Sequence, residues 1–218
     1  MDVSLLEGVV LYALPAILAI TLHEAAHGYV AKVFGDATAY MLGRVTANPL
    51  KHIDPVGTIA VPLALYLLSK LAGMGGFIFG WAKPVPVNFN NLRHPKRDMF
   101  WVAAAGPGAN LVMAIAWALL FKFSYESSRA LAMMSAFGVE INVMLLALNL
   151  LPILPLDGGR LLYSLLPRGL ADTYGRIEPF GLFIVIGLLA TNVLGMLLMP
   201  VVSMTLRVIS LIVGPLPS

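Results

Sequence analysis

Two histidines one helical turn apart lie inside a long apolar stretch near the start of the chain. His23 and His27 flank Glu24 in the pattern His-Glu-x-x-His, and the stretch is long enough to form a membrane helix. Helix positions i and i+4 share a face, so both imidazoles could bind one metal ion while Glu24 stays free to activate water. Each unpaired ionisable group costs about 2.5–3.5 kcal/mol of insertion free energy in a membrane helix. This cost argues against two histidines that lie in the helix without a common role. The pattern predicts a metal site at membrane depth, with zinc as the expected ion.

The composition of the chain is that of an integral membrane protein. Hydrophobic residues make up 59% of its 218 residues and charged residues only 11%. The net charge of +3 is small, and without a basic run flanked by aromatic residues we expect no nucleic-acid partner. The sequence has no cysteine, so histidine and carboxylate side chains are the available metal ligands.

The predicted fold class is an all-α polytopic membrane protein with four to five transmembrane helices. The first helix is expected at residues 6–34 and is retained, because it contains the histidine pattern and lacks the basic start of a signal peptide. Residues 37–48, rich in turn and β-branched residues, and the proline-containing segment 84–89 predict a small membrane-associated β element. The interrupted apolar stretch 57–82 predicts a re-entrant hairpin. Further spans are expected at residues 99–121, 133–154 and 177–199, and a weaker one at 201–214 after Pro200.

We expect a single membrane domain over residues 1–218, with a core at about 6–165 and accessory C-terminal helices at about 177–214. A catalytic zinc site usually has three protein ligands, so one further donor is needed at membrane depth. Asp157 is the candidate, because two prolines break the end of an apolar helix just before it and two glycines follow. The alternative is an ordinary Asp-Gly turn. His52 and His94 lie in polar connecting segments and are interpreted as interfacial residues.

Three motifs together resemble the site-2 protease family of intramembrane zinc metalloproteases. The first is the His-Glu-x-x-His pattern itself. The second, Asn-x-x-Pro-x-x-Pro-Leu-Asp-Gly, begins at Asn149 and ends at Gly158, and the third is Gly-Pro-x-x-Asn at residues 106–110. The segments GRVTANPLKHIDPVGT and WAKPVPVN are similar to those of the short, single-domain prokaryotic branch. The resemblance covers residues 10–165.

The resemblance implies hydrolysis of peptide bonds in or near the transmembrane segments of other membrane proteins. It implies one Zn²⁺ per chain held by His23, His27 and Asp157, with Glu24 as the general base. By the same resemblance Asn149 contacts the substrate backbone. Asn110 could do likewise, or could form a hydrogen bond between packed helices. The expected partners are transmembrane protein substrates and the lipid bilayer, and the oligomeric state stays open.

A transmembrane substrate must unwind locally before its peptide bonds can be attacked, because a helix shields them. Segments 37–48 and 84–89 are candidate edges on which it could pair as an added strand. The sequence leaves two alternative functions. A transporter would place ionisable residues along several helices, whereas here they converge on one site. An inactive relative that only binds membrane proteins would not need an intact His-Glu-x-x-His pattern and Asp157.

One metal ion can join the first helix to Asp157 only if the two helices that carry the ligands run in the same direction. The span at 99–121 supplies one crossing between them, so residues 57–82 should enter and leave on one side. The positive charges then divide eleven against two, with Lys122 and Arg129 opposite Lys32, Arg44, Lys51, Lys70, Lys83, Arg93, Lys96, Arg97, Arg160, Arg168 and Arg176. A full crossing would give eight against five. The stronger bias predicts a multi-pass protein of the cell membrane with an outside N-terminus and a site nearer the cytoplasmic face.

Overall fold

The structure, a computed structural model, describes residues 5–52, 54–71 and 83–215. Within those ranges all regular secondary structure is helical. The α-helices are α1 (Leu5–Val33), α2 (Thr38–Met41), α3 (Val61–Leu71), α4 (Pro95–Ser124), α5 (Arg129–Asn149), α6 (Asp157–Leu165), α7 (Arg168–Gly175), α8 (Gly181–Ala190) and α9 (Val193–Val213). Short 3-10 turns lie at Pro49–His52, Phe89–Asn91 and Glu178–Phe180, and a π-helix at Pro55–Ala60.

Four helical stretches of the described chain are long and apolar enough to cross a membrane. They are α4, α5, the stretch Arg168–Ala190 that includes α7 and α8, and α9. The α1 helix has 29 residues and at 1.5 Å per residue is about 43 Å long, more than the roughly 30 Å of a hydrocarbon core. The predicted all-α polytopic class is confirmed.

The helices α1 and α4 run in opposite directions. His27 Nδ1 donates to the Val102 carbonyl oxygen at 2.7 Å, and Asn110 Nδ2 reaches the Ala19 carbonyl oxygen at 3.4 Å. Residues later in α4 therefore contact residues earlier in α1. Because both helices are continuous through these contacts, they pack side by side along the region that contains the histidines.

The helices α4 and α5 are also antiparallel. Asn110 Nδ2 donates to Asn142 Oδ1 at 3.0 Å. Further along α4, the Trp117 ring lies against Gly138, where a Cβ would be 2.4 Å from Trp117 Cδ2. Since α4 opposes both neighbours, α1 and α5 run in the same direction, as the position of the predicted ligands required.

A layer of small and branched residues joins α4 and α5 to α9. Ala114 and Ala118 of α4 are fully buried and pack with residues of both other helices. Small side chains let helix backbones approach closely, which is how membrane helices gain van der Waals contact. The other buried members of this cluster are Val139, Val143, Ile209 and Val213.

The predicted β element is wrong for the described residues 37–48 and 84–88. Residues 38–41 form the short helix α2, because Asp36 Oδ1 accepts hydrogen bonds from the Thr38 amide and hydroxyl and stabilises a helical start. Residues 84–88 form no strand and no other regular secondary structure. Pro84 and Pro86 have no N–H to donate, and the Arg44 guanidinium binds the carbonyl oxygen of Pro84 at 3.3 Å. A sheet partner would find few free backbone groups here.

His52 and Lys83, which flank the segment 53–82, are adjacent. The Lys83 amide donates to the His52 carbonyl oxygen at 2.9 Å. The chain therefore leaves and returns at one place, as the hairpin interpretation requires. The outgoing half contains the π-helix and α3, whereas residues 72–82, the returning half of the predicted hairpin, lie outside the described residues.

The predicted boundaries of the last two spans are wrong. The chain turns at Asn192, which has a φ of 58°, and α9 then runs without interruption through Pro200. Asparagine adopts the left-handed region more readily than other non-glycine residues, so it can end a helix. A proline within an apolar membrane helix is tolerated when neighbouring groups satisfy the freed backbone.

Candidate metal centre

Three side-chain donor atoms converge where α1, α4 and α6 meet. His23 Nε2 and His27 Nε2 lie 3.1 Å apart, because the two residues are one turn apart on the same face of α1. Asp157, the first residue of α6, places its Oδ2 3.2 Å from His23 Nε2 and 3.3 Å from His27 Nε2. These residues form the one group of candidate metal ligands among the described residues, with all ligand atoms within 4.8 Å of one another.

Each imidazole is oriented by a hydrogen bond at its other nitrogen. His27 Nδ1 contacts the Val102 carbonyl oxygen, which can only accept, so Nδ1 carries the hydrogen of the neutral ring. His23 Nδ1 lies 2.5 Å from Asn110 Oδ1, where an amide oxygen also accepts. In neutral imidazoles bonded in this way, both Nε2 atoms present lone pairs toward Asp157. Such outer hydrogen bonds are typical of metal-binding histidines.

The arrangement fits a tetrahedral zinc ion. Zinc at about 2.0–2.1 Å from its ligands separates neighbouring ligand atoms by about 3.3 Å, close to the separations among these three donors. Asp157 Oδ2 is buried and receives no hydrogen bond from the described residues. Burying several hydrogen-bond acceptors together without a donor costs free energy, unless a cation binds them. Two imidazole nitrogens and one carboxylate oxygen are also a ligand set that zinc prefers.

Gly106 on α4 provides the space for both imidazoles. A Cβ at this position would be 2.4 Å from His27 Nε2 and 2.5 Å from His23 Cε1, far inside van der Waals contact. Only glycine lets α4 approach the histidines this closely. The glycine of the Gly-Pro-x-x-Asn motif thus has a steric role at the site, which the sequence did not predict.

Glu24 lies beside the three convergent residues and is not one of them. Its Oε2 accepts a hydrogen bond from the Val85 amide at 2.6 Å. This bond fixes the carboxylate against the connecting segment 83–88. The position is consistent with the expected division of roles, in which the histidines are ligands and Glu24 is a base.

Two buried charged residues anchor the connecting segment 83–88. Arg44 Nη2 donates to the Lys83 carbonyl oxygen at 2.8 Å, and the Asn88 amide donates to Asp36 Oδ2 at 2.7 Å. Burial alone would raise the pKa of Asp36, but hydrogen bonds from Thr38, Asn88 and Asn91 outweigh it and hold the pKa below its ordinary value of 3.8. Asp36 is therefore charged at neutral pH and holds the segment that contacts Glu24. The sequence did not single out either anchor.

The loop before α6 is compact because of two glycines. A Cβ on Gly158 would be 2.3 Å from the Leu150 carbonyl oxygen, and one on Gly159 would be 2.5 Å from the Leu154 nitrogen. Without side chains, both residues let the start of α6 lie directly on the backbone that follows α5. This packing places Asp157 opposite the histidines. The Asp-Gly pair is thus more than an ordinary solvent-exposed turn.

The other residues singled out in the sequence lie in varied surroundings. Asn149 Nδ2 donates to the Leu145 carbonyl oxygen of its own helix at 3.1 Å, and its substrate role stays a prediction. Asn110 lies in a hydrogen-bond chain between helices, the alternative that the sequence left open. His52 is buried, with Nε2 3.1 Å from the Thr46 carbonyl oxygen, and the exposed His94 lies near Asp98. Neither histidine belongs to the candidate metal group.

The sequence is similar to bacterial proteins that carry the name "Putative zinc metalloprotease". YwhC of Bacillus subtilis is 35% identical over 197 residues, which are 86% of this chain and 83% of YwhC. Rip2 of Mycolicibacterium smegmatis is 30% identical over 179 residues, 82% of this chain and 66% of Rip2. Rip2 of Mycobacterium tuberculosis H37Rv is 26% identical over 145 residues, 65% of this chain and 52% of that protein. No protein-family model and no solved structure matches the chain.

Proposed function

The chain belongs to the zinc metalloprotease family of YwhC and Rip2, and we propose that it is an intramembrane protease of the site-2 type. Its substrates in this proposal are transmembrane proteins, cleaved in or near their membrane segments. The observation that supports it best is the convergence of His23, His27 and Asp157 beside Glu24. The helices around this group include stretches long and apolar enough to cross a membrane.

The proposed chemistry needs one metal ion and one base. His23, His27 and Asp157 would hold the zinc ion, which when bound would supply a Lewis acid for the peptide carbonyl and make a water molecule more acidic. Glu24 takes a proton from the attacking water and delivers it to the leaving amine. The Val85 amide holds one oxygen of the Glu24 carboxylate, which leaves the other oxygen for this transfer.

The connecting segment 83–88 is the proposed place for substrate binding. It lies directly against Glu24, so a peptide lying along its side chains would bring its own backbone next to the base, without the backbone pairing that the bound groups of this segment exclude. Residues 37–48 offer no strand edge, because they form α2 and turns. Asn149, the last residue of α5, is proposed to contact the substrate backbone, as the resemblance to site-2 proteases implies.

The first prediction tests the third ligand. Asp157→Ala should lose both bound zinc and proteolysis, because two imidazoles alone are an incomplete zinc site. Zinc content and affinity are measured on purified protein, and cleavage on a model transmembrane substrate with and without a zinc chelator. Asp172→Asn, which alters an exposed carboxylate on α7, is the control and should match the wild type. Wild-type zinc affinity in Asp157→Ala would refute this ligand.

The second prediction concerns orientation in the membrane. We propose that the protein lies in the cell membrane with its site nearer the cytoplasmic face. In this cysteine-free chain, single cysteines at the exposed positions Met41 and Arg97 should react with an impermeant label from the cytoplasm, and one at Glu126 from outside. Labelling of Met41→Cys and Arg97→Cys from opposite faces would overturn the proposed topology.

A further inference from the structure

Asn142 is a fully buried amide in the middle of the apolar helix α5. Its Nδ2 donates to the Gly138 carbonyl oxygen of the preceding turn at 2.8 Å, and its Oδ1 accepts from Asn110 Nδ2 at 3.0 Å. Buried polar groups in a membrane helix need a specific reason, because they are costly to desolvate. None of the sequence motifs includes this residue.

The Gly138 carbonyl group fixes the orientation of the Asn142 amide. A backbone carbonyl can only accept, so the Asn142 nitrogen must face Gly138 and its oxygen must face Asn110. The Asn110 nitrogen then has two acceptors, Asn142 Oδ1 and the Ala19 carbonyl oxygen. This turns the Asn110 oxygen toward His23 Nδ1, at 2.5 Å.

From this chain of contacts we propose that Asn142 is a positioning residue for the metal centre. Acting through Asn110, it keeps the hydrogen of neutral His23 on Nδ1 and the lone pair on Nε2, the atom that faces Asp157 and His27. Without the Asn142 oxygen, only the longer contact with the Ala19 carbonyl oxygen, at 3.4 Å, would hold the Asn110 nitrogen, and the amide could turn over and present this nitrogen to His23. His23 would then have to accept at Nδ1 and carry its hydrogen on Nε2, where it blocks metal binding. The inference rests on the proposed zinc site.

The test measures zinc affinity on the purified full chain by competition with a chelator. Asn142→Leu removes the oxygen while keeping the branch at Cγ, and should weaken zinc binding roughly 10- to 100-fold, the usual effect of losing an outer partner of a ligand histidine. Asn142→Asp retains a carboxyl oxygen that can accept from the Asn110 nitrogen in either protonation state and should stay within a few-fold of the wild type. Ser135→Ala removes another fully buried polar group two turns earlier on α5 and should leave zinc affinity unchanged.

A double-variant comparison separates positioning from general destabilisation. If Asn142 acts through Asn110, Asn142→Leu should add nothing to the loss caused by Asn110→Leu alone. Additive losses would overturn the proposal, as would wild-type zinc affinity in Asn142→Leu or equal losses in Asn142→Leu and Asn142→Asp. If Asn142→Leu does not fold, Asn142→Ser is used under the same expectations, because its hydroxyl is too short to reach Asn110. Failure of the wild-type chain to bind zinc would instead refute the proposed function.

Discussion

Glu24→Gln should abolish peptide hydrolysis while zinc stays bound. Glutamine has nearly the same shape as glutamate and still offers an oxygen to the Val85 amide, so the local structure should persist. It cannot take up a proton from water, and a positioned general base contributes about 10²- to 10⁴-fold to a rate. We therefore expect a loss of at least that size in kcat.

The measurement combines a cleavage assay on a model transmembrane substrate with metal analysis of the same preparation. Glu126→Gln, in the exposed connection between α4 and α5, is the matched control and should retain full activity. Full activity in Glu24→Gln would contradict the proposed mechanism. Loss of zinc from this variant would instead make Glu24 a ligand, contrary to its position outside the convergent group.

The comparison of Glu24→Gln with Asp157→Ala separates two roles that both end in an inactive enzyme. One variant should retain the metal and the other should not. Because Glu24→Gln should still bind substrates without cleaving them, proteins captured on it in membranes are candidates for the physiological substrate. Captured proteins that the wild type then cleaves would support the proposed substrate class.

The parts of the site that depend on local periodicity could be predicted from the sequence. His23 and His27 lie on one face because an α-helix repeats every 3.6 residues. Asp157 could be found because a carboxylate after helix-breaking prolines, in an otherwise apolar chain, needs a partner. The common direction of α1 and α5 followed from joining these residues at one metal ion, and the contacts through Asn110 confirm it.

Other parts of the fold could not be predicted, because local turns or contacts between distant segments override the preference of the sequence. Residues 37–48 have strand-like composition, but the Asp36 carboxylate favours a helical turn, and strand propensity yields readily to such context. The turn at Asn192 and the uninterrupted helix through Pro200 differ from the predicted boundaries. Proline ends helices less reliably in apolar membrane segments than in water-soluble proteins. In the sequence, nothing distinguishes Asn142 from another polar residue in an apolar helix. Its importance depends on its contact with Asn110 on α4, which only the fold brings together.

Gly106 gives the sharpest test of the geometry of the site. Gly106→Ala adds one methyl group, 2.4 Å from His27 Nε2 and 2.5 Å from His23 Cε1. The imidazoles cannot move aside without losing their hydrogen bonds to Val102 and Asn110. We expect zinc affinity and proteolysis to fall together, to the level of Asp157→Ala.

The helix propensity of alanine would stabilise α4 in Gly106→Ala, so it cannot explain the expected loss of zinc affinity. Alanine stabilises a helix interior by about 0.5–1 kcal/mol relative to glycine, so a defect in Gly106→Ala cannot come from a weakened α4. Gly108→Ala, two residues later on α4, adds a methyl group that meets no atom within 4 Å. This control should bind zinc and cleave substrate like the wild type. Normal zinc affinity in Gly106→Ala would mean that α4 does not pack against the histidines as described, and the metal centre would have to be assigned to a different arrangement of α1, α4 and α6.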